Sequence, residues 1–137
     1  MINLTLMTFM AMQYLNVPYK WGSNGPFDFD CSGLAIKVLH DSGITIPDDS
    51  AEGLRLWATK RFGECEAGSD CLLFFGKDGK ANHVAIGVSA THMIEAGGAG
   101  EDSLKMDLKQ LGLKDARVRI KPIANRRDLI SAVKIIY

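Results

Sequence analysis

The hydrophobic pattern changes period once along the chain, and that single change restricts the fold more than any other feature. Before Gly63 apolar residues recur at helical spacing, and beyond it they fall into short runs of β type separated by turn residues. Helices first and strands second imply an α+β architecture, because a parallel sheet would need the two to alternate.

In the helical half, Leu4, Met7, Ala11 and Tyr14 predict a first helix of about three turns. It ends near Asn16, since Val17 precedes Pro18 and is pushed out of the helical region. Tyr19 to Phe29, with the run Ser23-Asn24-Gly25-Pro26, reads as a loop and a natural place for a binding groove. A second helix runs from Cys31 to about Asp41, with Asp30 as N-cap, Gly43 as its stop and Cys31, Leu34, Ala35, Val38 and Leu39 along one face. Asp49 and Glu52 have capping-box spacing at the start of a third helix, whose Leu54, Trp57 and Ala58 lead toward Phe62.

The strand half predicts β segments at Cys71–Phe75, His83–Val88, His92–Ala96 and Arg117–Ile120. Within the second, Val84, Ile86 and Val88 alternate with His83, Ala85 and Gly87, so His83 shares its face with small side chains, where a helix could pack closely. A three-residue loop, Ser89-Ala90-Thr91, sets Val88 opposite His92 and Ala85 opposite Glu95, which makes Glu95 a diagonal neighbour of His83 on the same face. Ser103 to Leu113 reads as a short helix, and Leu129 to Tyr137 as a strand or a helix.

Length and charge narrow the function classes. A chain of 137 residues, 47% hydrophobic and 23% charged, fits one globular domain over 1–137 with an ordinary core. Sixteen basic residues balance sixteen acidic ones, so there is no long-range field to attract nucleic acid. Met1 to Val17 is apolar but is interrupted by polar residues and lacks a basic n-region, so it is neither a signal peptide nor a membrane span. The expectation is a protein that stays where it is made or is carried to its target by something other than its own leader. Three cysteines, Cys31, Cys65 and Cys71, cannot all pair within the chain, and the absence of a CxxC spacing gives zinc little support.

Cys31 is the residue with chemical promise. The first turn of a helix favours a thiolate through its unpaired N–H groups and dipole, although a cysteine on an apolar helix face is commonly just a small buried hydrophobe. An imidazole in reach would take the thiol proton and later protonate a leaving amine, and His83 begins the alternating strand. Glu95 could orient that imidazole by accepting its other N–H, whereas His92 lies on the opposite strand face.

Three segments, Pro18-Tyr19-Lys20-Trp21-Gly22, Phe29-Asp30-Cys31-Ser32-Gly33-Leu34 and Asn82-His83-Val84-Ala85-Ile86-Gly87, occur in the order and at the separation that resemble the NlpC-type cysteine peptidases, papain-like enzymes that cut bacterial cell-wall peptides. The resemblance covers roughly residues 4–100. It implies a papain-like core with the nucleophile at a helix N-terminus, packed on an antiparallel sheet. It also implies Cys31 as nucleophile, His83 as base and Glu95 as the orienting residue, where the family more often has histidine, asparagine or glutamine. By the same resemblance Asp30 and Ser32 would hold the free amino group of a peptide, and Tyr19 and Trp21 would line the groove. The Cys31 N–H, with the Tyr19 hydroxyl, would form the oxyanion hole. A carboxylate and a hydroxyl suit an ammonium, and they equally suit the capping of a helix. Asp70-Cys71 stands where the family often has glycine-aspartate, and Cys65 could pair with Cys71 if a loop brings them together. The stretch from Met93 to Gly98 and on to Arg117–Ile120 also resembles versions encoded by tailed bacteriophages.

The expected activity is thiol hydrolysis of the γ-D-glutamyl bond to the third residue, diaminopimelate or lysine, of a peptidoglycan stem peptide. Such chemistry needs a thiol, an imidazole and an acceptor, and so implies no cofactor. Two rivals stand beside it. One is a cell-wall amidase or thiol acyltransferase on the same scaffold, and the other a phage tail-tip binding module with weak or no activity, partnered by tail proteins.

Overall fold

The computed structural model describes residues 4–98 and 101–137. Three helices lead, α1 (Leu6–Met12), α2 (Cys31–Asp41) and α3 (Ala51–Phe62). The strands β1 (Cys71–Lys77), β2 (Lys80–Gly87), β3 (His92–Gly97), β4 (Arg117–Pro122) and β5 (Leu129–Lys134) follow, with α4 (Leu108–Leu113) between β3 and β4. All pair antiparallel in one sheet of order β4-β3-β2-β1-β5, so the α+β architecture is as the change of period implies. Among the described residues no helix is long and apolar enough to cross a membrane.

The helices cover one face of the sheet. Leu34, Val38 and Leu39 of α2 and Leu54 and Ala58 of α3 share a core with Phe74, Val84 and Ile86. Asp30 caps α2, its Oδ1 accepting the Gly33 N–H at 2.6 Å, which fixes Cys31 as the first helical residue. Helix α1 is shorter than its apolar spacing suggests. Thr5 caps it by accepting the Thr8 N–H, and Leu4 is left outside at 72% exposure. The cap of α3 is Ser50, not Asp49, with the Ser50 hydroxyl accepting the Gly53 N–H at 3.2 Å. Asp49 instead accepts the Ser50 N–H, and Glu52 pairs with the Arg55 guanidinium within α3 and ties the helix to β2 by accepting the Ala81 N–H.

Two hairpins set the register that matters. Ile86 faces Ile94, Gly87 faces Met93, and the Val88 N–H donates to the His92 carbonyl at 3.0 Å, the pairing that the three-residue loop predicts. The other hairpin joins β1 to β2 through Asp78 and Gly79, both at positive φ (55° and 75°), the geometry that a two-residue turn between right-twisted strands requires. The face carrying His83 and Ala85 is not covered by a helix, contrary to the expectation from its small residues. It packs Leu73, Phe75, Ala85 and Met93 with Ala67 and Ile123, and a Cβ at Gly87 would collide with the Gly68 carbonyl. The small side chains thus admit the backbone of the loop before β1. Leu129–Lys134 resolves as a strand, pairing Val133 with Leu72. Ser103 to Leu113 is two pieces, a 3-10 turn at Glu101–Lys105 and α4, because Asp107 starts a new helix through a capping box with Gln110.

Candidate active site

Cys31 is half-buried at the first turn of α2, where the helix N-terminus points its unpaired N–H groups. His83 on β2 is 9% exposed and Glu95 on β3 is 4% exposed. The His83 Nε2 lies 2.7 Å from the Glu95 Oε1, and Cys31 is near enough to act on the imidazole electrostatically. With Nε2 committed to the carboxylate, Nδ1 is the nitrogen left for the thiol. Burial alone would pull the imidazole down, but the hydrogen bonds and charges of Cys31 and Glu95 overcome it and raise His83 to about 8. Burial likewise opposes the Glu95 charge, and the hydrogen bond and charge of His83, together with the Arg119 guanidinium, hold the carboxyl below its ordinary range.

Arg119 is the partner that sequence reasoning missed. It stands directly opposite Glu95 in the β3–β4 ladder, and its Nε and Nη2 lie 3.1 and 3.0 Å from Oε2. Its Nη1 donates to the Asp115 carbonyl at 2.8 Å, so the guanidinium is held from both ends. His92, by contrast, bonds the Thr91 hydroxyl at 2.9 Å and is not part of this group. Tyr19 is buried beside Cys31 and Asp30. Burial and those two charges push its phenol above its usual range. Asp30 serves the backbone with both oxygens, Oδ2 accepting the Gly22 N–H at 2.9 Å, and the Ser32 hydroxyl donates to Oδ1 at 3.2 Å. Trp21 is 49% exposed on the groove wall, its backbone N–H donating to the Ser103 hydroxyl.

A thiol, an imidazole and a carboxylate thus stand in series at a helix N-terminus. The sequence profile of the NlpC/P60 family matches residues 16–117. The chain belongs to that family. A "Probable endopeptidase p60" of Listeria seeligeri is 41% identical over 86 residues, covering 63% of this chain and 16% of that protein. A "Gamma-D-glutamyl-L-lysine dipeptidyl-peptidase" of Bacillus subtilis is 30% identical over 90 residues, covering 64% of this chain and 30% of that one. This NlpC/P60 chain therefore spans less than a third of either relative. The peptidoglycan hydrolase RipB of Mycobacterium tuberculosis superposes with a TM-score of 0.69 at 23% identity, over 96% of this chain and 64% of that one, which shows a common fold.

In this NlpC/P60 domain the groove runs through Cys31 and has two lobes. The larger, about 530 Å³, is lined by Tyr19, Trp21, Asp30, Ser32, Asp48 and Asp49 among others, and among the described residues its charged walls are carboxylates. The smaller, about 210 Å³, is lined by His83, Glu95, Arg119 and Arg126. Tyr19, Trp21, Cys31 and Asn82 belong to both. Asp48, Asp49, Asn82, Arg119 and Arg126 were not legible as site residues. Only Arg119 had a usable signal, a charge flanking buried Val118 in an alternating strand. Cys65 and Cys71 lie away from the groove. Their sulfurs are 3.5 Å apart, and burial together with the hydrogen bond to Cys65 pushes the Cys71 thiol up to about 12.

Proposed function

We propose that the chain is a thiol hydrolase that cleaves the γ-D-glutamyl bond to the third residue of a peptidoglycan stem peptide through an acyl-enzyme on Cys31. The observation that carries the reading is the series from Cys31 through His83 to Glu95, closed by the 2.7 Å contact between Nε2 and Oε1. The relative named for γ-D-glutamyl-L-lysine dipeptidyl-peptidase activity supports the choice of bond.

The His83 Nδ1 takes the Cys31 proton, and the thiolate attacks the γ-carbonyl carbon while the Cys31 N–H at the start of α2 faces the developing oxyanion. Cys31 and Glu95 together raise the imidazole against burial, and Glu95 remains to stabilise the imidazolium once the sulfur has attacked. The imidazolium then protonates the leaving amine as the C–N bond breaks. Water, deprotonated by His83, attacks the thioester and returns the thiol. Asp30 and Ser32 stand in the acidic lobe, where they suit the ammonium of the acyl half.

The test is mass spectrometry of stem-peptide fragments incubated with the wild type and with Cys31→Ala. Release of the third residue from D-glutamate, abolished in Cys31→Ala, is expected. A folded wild type with a free Cys31 thiol that leaves this bond intact would overturn the proposal.

A further inference from the structure

We propose that the smaller lobe is a carboxylate receptor in which Arg126 binds an anionic group on the leaving half of the substrate, so that the preferred substrate releases an amine bearing a free carboxylate. This rests on the thiol hydrolysis argued above and adds the chemistry of the half that departs.

Which half lies where follows from proton transfer. The leaving nitrogen must be within reach of the imidazole that protonates it, and His83 lines the smaller lobe and not the larger. The acyl half then occupies the lobe of Asp30, Asp48 and Asp49, whose charges attract the ammonium at its amino end. The leaving half meets the opposite sign. Of the ionisable groups lining its lobe, His83 and Arg119 both pair with Glu95, whereas among the described residues Arg126 pairs only with Asp128, which is not one of those that line it.

Arg126 is also held in a fixed attitude. Its Nε and Nη2 donate to the Asp128 carboxylate at 3.0 and 2.7 Å, and its guanidinium carbon sits 4.9 Å from the centre of the Phe75 ring. Asp128 is outside the lobe and takes the Nε–Nη2 edge, while Nη1 has no hydrogen-bond partner among the described residues. A guanidinium fixed by a carboxylate and a ring, with one donor group still unpaired, is pre-organised to bind an anion. Arg119 is not available in this way, since Glu95 and Asp115 occupy all three of its nitrogens.

The experiment compares kcat/KM for the tripeptide L-alanyl-γ-D-glutamyl-L-lysine and for its C-terminal amide, which lacks the lysine carboxylate. The wild type is expected to prefer the free acid by about tenfold, the size of one partly exposed charge-assisted hydrogen bond, and to lose part of that preference as salt is raised. Arg126→Gln is expected to bring the ratio close to unity, Arg126→Lys to keep part of it, and Arg127→Gln, a neighbouring exposed cation, to preserve it. Equal cleavage of both peptides by the wild type, or an acid preference that survives in Arg126→Gln, would overturn this inference and leave the hydrolase reading standing. Failure of the folded wild type to cleave either peptide would overturn the choice of bond, and this inference with it. The salt dependence of the wild-type ratio needs no variant, so a folding defect in Arg126→Gln would not shelter the proposal.

Discussion

The protonation of His83 is the property of this site most open to direct measurement. Its imidazole is raised from the ordinary 6.5 to about 8 at a position only 9% exposed, so the shift reflects an interaction that solvent barely screens. A rise of that size is worth about 2 kcal/mol of folding stability. Because the folded state binds this proton more tightly than the unfolded chain, the contribution is fully present below pH 6.5 and is lost as pH rises through about 8. Glu95→Gln removes one of the two groups that overcome burial, and the titration midpoint of the ring should fall by about one pH unit or more. In Glu95→Gln combined with Cys31→Ala burial is no longer outweighed, the midpoint should drop below the ordinary value, and stability should then rise with pH across its titration.

The assay is a pH titration of the His83 Cε1–H resonance, alongside urea unfolding at about pH 6 and about pH 9. Subtracting variant from parent cancels the histidines and termini that both share. The loss of the Glu95 charge also leaves Arg119 less well paired, but that cost is independent of pH in this range and displaces the curve without tilting it. Asp128, whose carboxylate also interacts with the His83 charge, is present in every variant. A parent midpoint near 6.5, or a double variant that still loses stability between pH 6.5 and 8, would refute the assignment of this proton to the contacts with Cys31 and Glu95.

Three further outcomes are expected. Glu95→Gln and Arg119→Met should each cost about 2 kcal/mol, less than the roughly 3–5 for a fully buried pair because Arg119 is 16% exposed, and the double variant should cost less than their sum, giving a coupling of about 1 kcal/mol or more in urea unfolding. Phe74→Ala, which empties a fully buried site between sheet and helices, should lower the urea midpoint by the equivalent of about 3–5 kcal/mol with little change in slope. Oxidised glutathione should take two hydrogens from the protein by joining Cys65 to Cys71, whose sulfurs already meet at 3.5 Å, and peptide mapping should find Cys31 outside that disulfide.

What was legible in the sequence is what local rules determine. The start of α2 at Cys31 follows from Asp30 as a cap, and the His83–Glu95 pairing follows from a three-residue loop whose length alone sets the register. The Asp78-Gly79 turn is equally local, but the apolar run that marks β1 ends at Phe75 and does not reach it. The cap of α3 moved by one residue because Asp49 and Ser50 are both good caps, and the choice between them is made by contacts of Asp49 and Glu52 outside the helix. Alternation sets Arg119 on one face of β4 without saying which strand lies beside it, and the acidic wall of Asp48 and Asp49 has no local signal. Both enter the groove through the pairing of β4 with β3 and the packing of α3, and no local period encodes either.

The position of Arg119 also accounts for how a buried carboxylate can stand beside the imidazole. A neutral acceptor beside the imidazole pays little to be buried, but a carboxylate at 4% exposure would be driven to protonate, and a protonated Glu95 could not stabilise an imidazolium. A cation is therefore needed on its far oxygen, and the residue directly across the ladder is the one whose side chain reaches it without turning away from the sheet face. Asp115 then takes the remaining Arg119 nitrogen through its carbonyl and carboxylate, which anchors that cation at the edge strand. The charges alternate from His83 through Glu95 and Arg119 to Asp115, with each held by the next. Glu95 and Arg119 are thus one adaptation in two strands: the carboxylate strengthens the base, and the guanidinium keeps the carboxylate charged.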